Sequence, residues 1–262
     1  MRRGEVFWGV LLVILGGLFL FETAGYIRGD VLGWFWPVAI ITAGAWILMG
    51  GFRSRGGRPS AHSFVVPLEG TREASLTINH GVGRMELRAG TSNDEFMTGA
   101  AAAGMNHSAQ LRGDRLEVSI DAGPSFLPFI GPESGVWQYR LKPGVPTTIS
   151  VHAGASQLEL DLAELQVTRF NFDGGASSLD LTLPARVAQV FVEIRTGASS
   201  LHLRVPQGVA ARLLAKSMAS LVIDQARFAA RGNGIYQSTD YDSAPQRADI
   251  VIDGGATSIQ VD

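Results

Sequence analysis

No cysteine occurs among the 262 residues, which excludes disulfide staples, thiolate nucleophiles and cysteine-bound metals. Histidine is scarce. His62, His80, His107, His152 and His202 stand singly, without a helical pair at four-residue spacing or a carboxylate at ligand spacing. They read as exposed turn residues, and neither a metal nor a cofactor is expected. Charge is also thin, at 18% of residues and a net of −2. It is unevenly placed: residues 1–58 hold six arginines against Glu5, Glu22 and Asp30, so the remainder is acidic. An acidic domain gains nothing from a phosphate backbone, so nucleic acid is not an expected partner, whereas the basic segment suits anionic lipid.

The first fifty residues are a separate material. Residues 6–21 form an uncharged apolar run that continues toward Ile27 past Glu22 alone, and residues 31–52 contain no charge at all. A bilayer-spanning helix needs about 20 largely apolar residues, so both read as spans and 1–52 as a two-helix transmembrane hairpin. Trp8, Tyr26, Trp34 and Trp36 fall near the span ends, where amphipathic rings prefer the interface. Arg2 and Arg3 precede the first span and Arg53, Arg55 and Arg58 follow the second, against Arg28 in the loop. The positive-inside preference then places both termini, and the domain after the spans, in the cytoplasm. A cleaved signal peptide is the alternative for the first span, but Thr23-Ala24-Gly25 is a poor cleavage site and a second span follows at once. Residues 53–63, rich in Gly, Ser and Arg, read as a linker.

What the rest of the chain has in abundance is one phrase. Gly154-Ala-Ser-Gln-Leu-Glu-Leu, Gly175-Ala-Ser-Ser-Leu-Asp-Leu, Gly197-Ala-Ser-Ser-Leu-His-Leu and Gly255-Ala-Thr-Ser-Ile-Gln-Val repeat a glycine, small residues and an alternating apolar pair. The first three glycines are 21 and 22 residues apart. Apolar residues also precede each glycine by five and three positions: Ile149 and Val151, Phe170 and Phe172, Val192 and Ile194, Ile250 and Ile252. Gly81 carries the same frame, between Leu76 and Ile78 and Met85 and Leu87. Period two on both sides of a glycine means strand, corner, strand, and a 20–22-residue repeat is about one coil of a β-solenoid. The fold class expected is therefore a membrane-anchored all-β protein, with residues 64–262 forming one β-solenoid-like repeat domain.

Gly81, Gly154, Gly175, Gly197 and Gly255 are the expected structural corners, where a positive φ or a close backbone approach requires glycine. Leu183-Pro184 and Val205-Pro206 should close two coils, because proline cannot donate to a ladder. A decayed copy lies at residues 217–221, with Arg212 in place of an apolar residue. Residues 236–241 are the candidate for a further degenerate coil.

Catalytic chemistry finds little foothold. The corner serines lack a histidine–acid partner at any readable position, and Gly-Ala-Ser-Ser-Leu is not a nucleophile elbow. Asp173-Gly-Gly and Asp253-Gly-Gly supply too few ligands for a calcium-binding repeat. One segment departs from the pattern: residues 123–132 form an apolar excursion punctuated by prolines. Phe126, Leu127, Phe129 and Ile130 in it are candidates for capping an open end of the stack, or for touching a partner.

The span pair, with Leu15-Gly16-Gly17, Trp36-Pro37-Val38 and Ile40-Ile41-Thr42-Ala43-Gly44, resembles the LiaI/LiaF-like bacterial transmembrane region. The repeat domain, including Trp137-Gln-Tyr-Arg-Leu141 and residues 236–241, is similar to the toast-rack and LiaF C-terminal β-domains of cell-envelope stress proteins. The resemblance implies a non-catalytic regulator whose partner is a membrane protein such as a sensor kinase. Four-span LiaF-type proteins restrain such kinases, whereas this sequence offers two spans. Two other classes stay open: a membrane-attached scaffold of solenoids stacked end to end as a homo-oligomer, marked by uncapped strand edges, and an outward-facing ligand- or carbohydrate-binding module, which would need a cleft of acids and aromatics.

Overall fold

Alternation dictates the architecture. The computed structural model describes residues 62–101, 105–122 and 136–262, and among them every regular element is a strand of one 14-stranded mixed sheet. Five strands are long and bent at the expected glycine: β2 (Glu73–Ala89), β7 (Thr147–Asp161), β8 (Val167–Thr182), β9 (Gln189–Arg204) and β14 (Arg247–Val261). Each runs through its corner unbroken, so the glycine divides one strand into a first and a second half.

The five lie parallel and in register. Leu76, Ile149, Phe170, Val192 and Ile250 share one row of the first half, and Ile78, Val151, Phe172, Ile194 and Ile252 share another. In the second half the rows are Met85, Leu158, Leu179, Leu201 and Ile259, then Leu87, Leu160, Leu181, Leu203 and Val261. None of these side chains is more than 3% exposed, so the period-two pattern on both sides of the glycine marks the core faces. Burying each stabilises the fold by roughly 1.5–3 kcal/mol before entropy is counted. Leu162, Leu165, Leu183, Val205 and Val209 in the connections are buried as well and close the core between the two halves. Strands β8 and β9 stop at Thr182 and Arg204, just ahead of Pro184 and Pro206, as the missing proline N–H requires.

The corners correct one expectation. None of the five corner glycines has a positive φ. What four of them need is space: a Cβ on Gly154 would sit 2.5 Å from the carbonyl oxygen of Gly81, and one on Gly255 would sit 2.7 Å from that of Gly197, whereas a Cβ on Gly81 would meet nothing within 4 Å. At Gly175 and Gly197 the same contact is 3.3 Å. At the Gly154, Gly175 and Gly197 corners the hydroxyl two residues on serves the neighbouring coil: Ser156 donates to the Gly81 carbonyl at 3.3 Å, and Ser177 and Ser199 meet at 3.2 Å; at Gly255 the corresponding Thr257 is buried with its hydroxyl unpartnered. The first corner is packed differently. There Gly83 stands in the row of Ser156, and the ring of His80 takes the room, 3.5 Å from where a Gly83 Cβ would be.

Stacking order departs from chain order at both ends, so the domain is not a continuous solenoid. The coil after β2 is split into β5 (Arg115–Ala122) and β6 (Val136–Leu141), which pair with the first and second halves of β2. Strand β7 then returns to the other side of β2. At the far end, β10 (Ala210–Ser217) and β11 (Ser220–Ile223) pair with the two halves of β14, which is inserted between β9 and β10. Register also reassigns the decayed copy. Leu213 and Ala215 occupy the core rows opposite Ile250 and Ile252, and Arg212 faces outward beside Asp249. The misreading has a physical cause: the corner between Ser217 and Ser220 is shorter than that between their partners Asp253 and Ser258.

Residues 236–241 are not a coil. Strand β13 (Ile235–Ser238) runs antiparallel to β10 and carries β12 (Phe228–Gly232) antiparallel on its outer side, so a hairpin takes up the length the spacing assigned to a coil. At the opposite end β3 (Glu95–Ala101) pairs with β6, β1 (His62–Pro67) with β3, and β4 (Met105–Arg112) with β5, all antiparallel. Strand β1 opens at His62, two residues inside the stretch read as linker. The two expected spans, the rest of that linker and the expected cap at Phe126, Leu127, Phe129 and Ile130 lie outside the described residues. Among the described residues no helix is long and apolar enough to cross a membrane.

Candidate functional site

Alternation that sends one set of residues to the core sends the other to solvent, and register lines that set up as well. On the outer face of the second half, Glu86, Glu159, Asp180, His202, Gln260 and Val222 form one row. Ser178, Ser200, Ser258 and Ser220 form the row beside it. All of these except Glu86 line a shallow groove of about 440 Å³.

The charges on this face are tied to one another. Arg88 and Arg84 donate to the two oxygens of Glu159 at 2.7 and 3.2 Å, and Arg204 grips Asp180 through both guanidinium nitrogens at 2.6 and 2.9 Å. Nε2 of His202 lies 2.5 Å from Oδ2 of Asp262, and that hydrogen bond, with a second from Gln260, holds the Asp262 carboxyl below the usual carboxylate range. Such exposed pairs stabilise by about 0–1 kcal/mol each. Among the described residues His202 makes the shortest histidine–acid contact, and its ring nitrogens are engaged by Asp262 and Arg204 rather than by a serine. No nucleophile–base contact is formed on this face. Among the described residues no group of histidines and acids is arranged to hold a metal.

The outer face of the first half has a different centre. Asp249 on β14 accepts from Tyr241 Oη at 2.6 Å, from Gln189 at 2.8 Å and from Arg212 Nε and Nη2 at 3.0 and 2.6 Å. Burial alone would raise this carboxyl, but the Tyr241, Gln189 and Arg212 hydrogen bonds outweigh it and hold it low. Burial, with Asp249 as neighbour, pushes the Tyr241 hydroxyl up to about 12. The Arg212 guanidinium also lies 4.9 Å from the Tyr241 ring centre. This node joins β9, β14, β10 and the turn after β13, and so pins the inserted strand in place.

The expected site residues are thus partly brought together. Gly81, Gly154, Gly175, Gly197 and Gly255 form one continuous ladder. His152 is half exposed and lies 3.6 Å from Asp173. His80 is buried, against the expectation of an exposed turn residue: it is 2% exposed, and its ring meets Trp137 edge-on at 5.3 Å between centres. Neither ring nitrogen of His80, nor Nε1 of Trp137, has a hydrogen-bond partner of good geometry. Burial holds the imidazole below its ordinary value, and the nearby Gly83 backbone offsets this only in part. The charge networks were not expected from sequence, although aligning the repeats places Glu159, Asp180 and His202 at one frame position.

The fold defined here is a rack of bent parallel strands whose polar side chains stand in solvent-facing rows. Residues 55–204, more than half of the chain, match the family model described as the N-terminal domain of toast_rack, DUF2154, and the chain belongs to that family. Among solved structures it is similar to a candidate cell adhesion protein from Clostridium sporogenes ATCC 15579. That likeness has 18% identity and a TM-score of 0.71 over 78% of this chain and 99% of the other, and it shows the fold alone. A candidate adhesin from Bacteroides fragilis NCTC 9343 aligns over 79% of this chain and 100% of its own, at 10% identity and a TM-score of 0.28, too low to support an argument. No curated protein matches the chain.

Proposed function

We propose that the chain is a non-catalytic interaction protein, held at the bacterial inner membrane by residues 1–52, that regulates cell-envelope stress signalling through contact with a membrane-proximal partner such as a sensor kinase. The observation that carries the non-catalytic part is the engagement of the surface acids and bases with one another. Arg204 is spent on Asp180, His202 on Asp262, and Arg84 and Arg88 on Glu159, leaving solvent-facing serines with no base in contact. Membership of the toast-rack family supports the regulatory part. The arginine distribution around residues 6–52 supports a cytoplasmic domain.

The structural neighbour described as a cell adhesion protein favours a second reading, in which the same rack faces outward and binds at the cell surface. Protease added to intact spheroplasts separates the two. Protection of residues 62–262 until the membrane is opened is the expected result, and digestion in sealed spheroplasts overturns the cytoplasmic reading.

A further inference from the structure

The two ends of the rack are finished unequally. At the β5/β6 end both halves are covered, the first by β4 and the second by β3 and β1. At the β10/β11 end the first half is covered by β13 and β12, whereas among the described residues β11 pairs with β14 alone. Among the described residues four strands therefore have one free side: β1, β4, β11 and β12. Three are guarded in the ways that deter edge-to-edge pairing. Strand β1 has a register shift and ends in Pro67, β12 has a register shift beside Arg231, and β4 carries five polar residues among its eight and ends in Arg112. Strand β11, Ser220-Leu-Val-Ile, has no charge, proline or shift. Val222 on it is 66% exposed, more than any other large apolar side chain described, and the core-facing Leu221 and Ile223 are only partly covered.

We infer that β11 pairs antiparallel with β11 of a second copy of this chain, about a twofold axis through Val222. The direction of the free backbone groups follows from one bond. The Asp262 N–H donates to the Leu203 carbonyl at 3.1 Å, so the outward residues of β14 bond toward β9 and Ile259 and Val261 toward β11; in the parallel register those bonds fall to Ser220 and Val222, and Leu221 and Ile223 present their N–H and C=O to the open side. Centring the pair on Val222 makes the two Val222 residues a close, non-hydrogen-bonded pair, and it lets Leu221 exchange hydrogen bonds with Ile223 of the other copy on the core side. The side-chain pairs among residues 221–223 are then all apolar, and an uncharged strand meets an uncharged copy without repulsion, as a self-complementary twofold contact demands. Heterologous stacking into a filament is disfavoured, because the opposite end offers only guarded edges. The pairing closes on itself as a dimer.

The absence of cysteine makes the test direct. In full-length Val222→Cys the new thiol is the only one, and across an antiparallel non-hydrogen-bonded pair the two Cα atoms are about 4.5 Å apart, within disulfide reach. Mild oxidation should give a covalent dimer. Ser220→Cys, which would face Asp224 of the other copy, and Val65→Cys on β1 should cross-link roughly tenfold more slowly or worse. Val222→Lys should lower self-association of the full chain in sedimentation without changing its melting. Equal cross-linking at the three positions, or a Val222→Lys chain that associates like the parent, overturns the inference.

Discussion

The middle of the rack and its two ends follow different rules. In the middle, β7, β8 and β9 each stack on a near-identical neighbour, so one residue choice satisfies both contacts and the phrase is kept almost letter for letter. At the ends a coil meets its like on one side only. There the corner is lost: β5 and β6 are separate strands, and β10 and β11 are joined by a shortened turn. Repetition here is a consequence of being sandwiched, and it decays where the sandwich stops.

The largest effect that would sharpen this contrast is expected in the middle row. Phe172 is 1% exposed and lies between Val151 and Ile194, so Phe172→Ala should lower stability by about 3–5 kcal/mol. Leu221→Ala, in the row that ends at half-buried β11, should cost less than half as much, and equal losses in chemical denaturation would erase the distinction.

Next come the corners. A methyl on Gly154 must displace backbone at 2.5 Å, whereas one on Gly175 needs a neighbour to yield only slightly at 3.3 Å. Gly154→Ala is expected to destabilise by about 1–3 kcal/mol and Gly175→Ala by clearly less, read as a difference in denaturation midpoint. A strain due to positive φ would instead penalise the two alike.

The smallest expected effect is a pH dependence confined to the β2 corner. Because burial lowers the His80 imidazole from 6.5, the unfolded chain takes up that proton first as acid is added. Its contribution to stability is complete above the unfolded value and is lost as pH falls through the folded one. Melting should therefore decline from pH 7 toward pH 5, and His80→Phe should flatten that decline. Asp249 and Asp262 act in a lower window: their folded values lie below 3.8, so the stability they add is lost only as pH drops past the carboxylate range.

Much of the middle was legible in sequence because alternation and glycine spacing are local. The core rows, the closing prolines and the ladder of corner glycines all follow from them. Stack order was not legible, since nothing in Asp249, Ile250 or Ile252 distinguishes a strand laid after β10 from one inserted before it. The insertion is fixed by long-range partners: Gln189 on β9 and Arg212 on β10 both bond the Asp249 carboxylate. His80 escaped for a related reason, because its burial depends on Trp137 and on a missing side chain at Gly83. Residues that look like turn polars by neighbourhood are core when the coil beside them is of another kind.

That inserted strand is the central claim, and paired cysteines in the cysteine-free chain test it most directly. Ser200 on β9 lies opposite Ser258 on β14, which in turn lies opposite Ser220 on β11. Oxidising a Ser200→Cys/Ser258→Cys chain should form an internal disulfide, while Ser200→Cys/Ser220→Cys, two strand spacings or about 10 Å apart, should form none. A rack stacked in chain order would give the reverse, and cross-linking of the second pair in preference to the first would contradict the account.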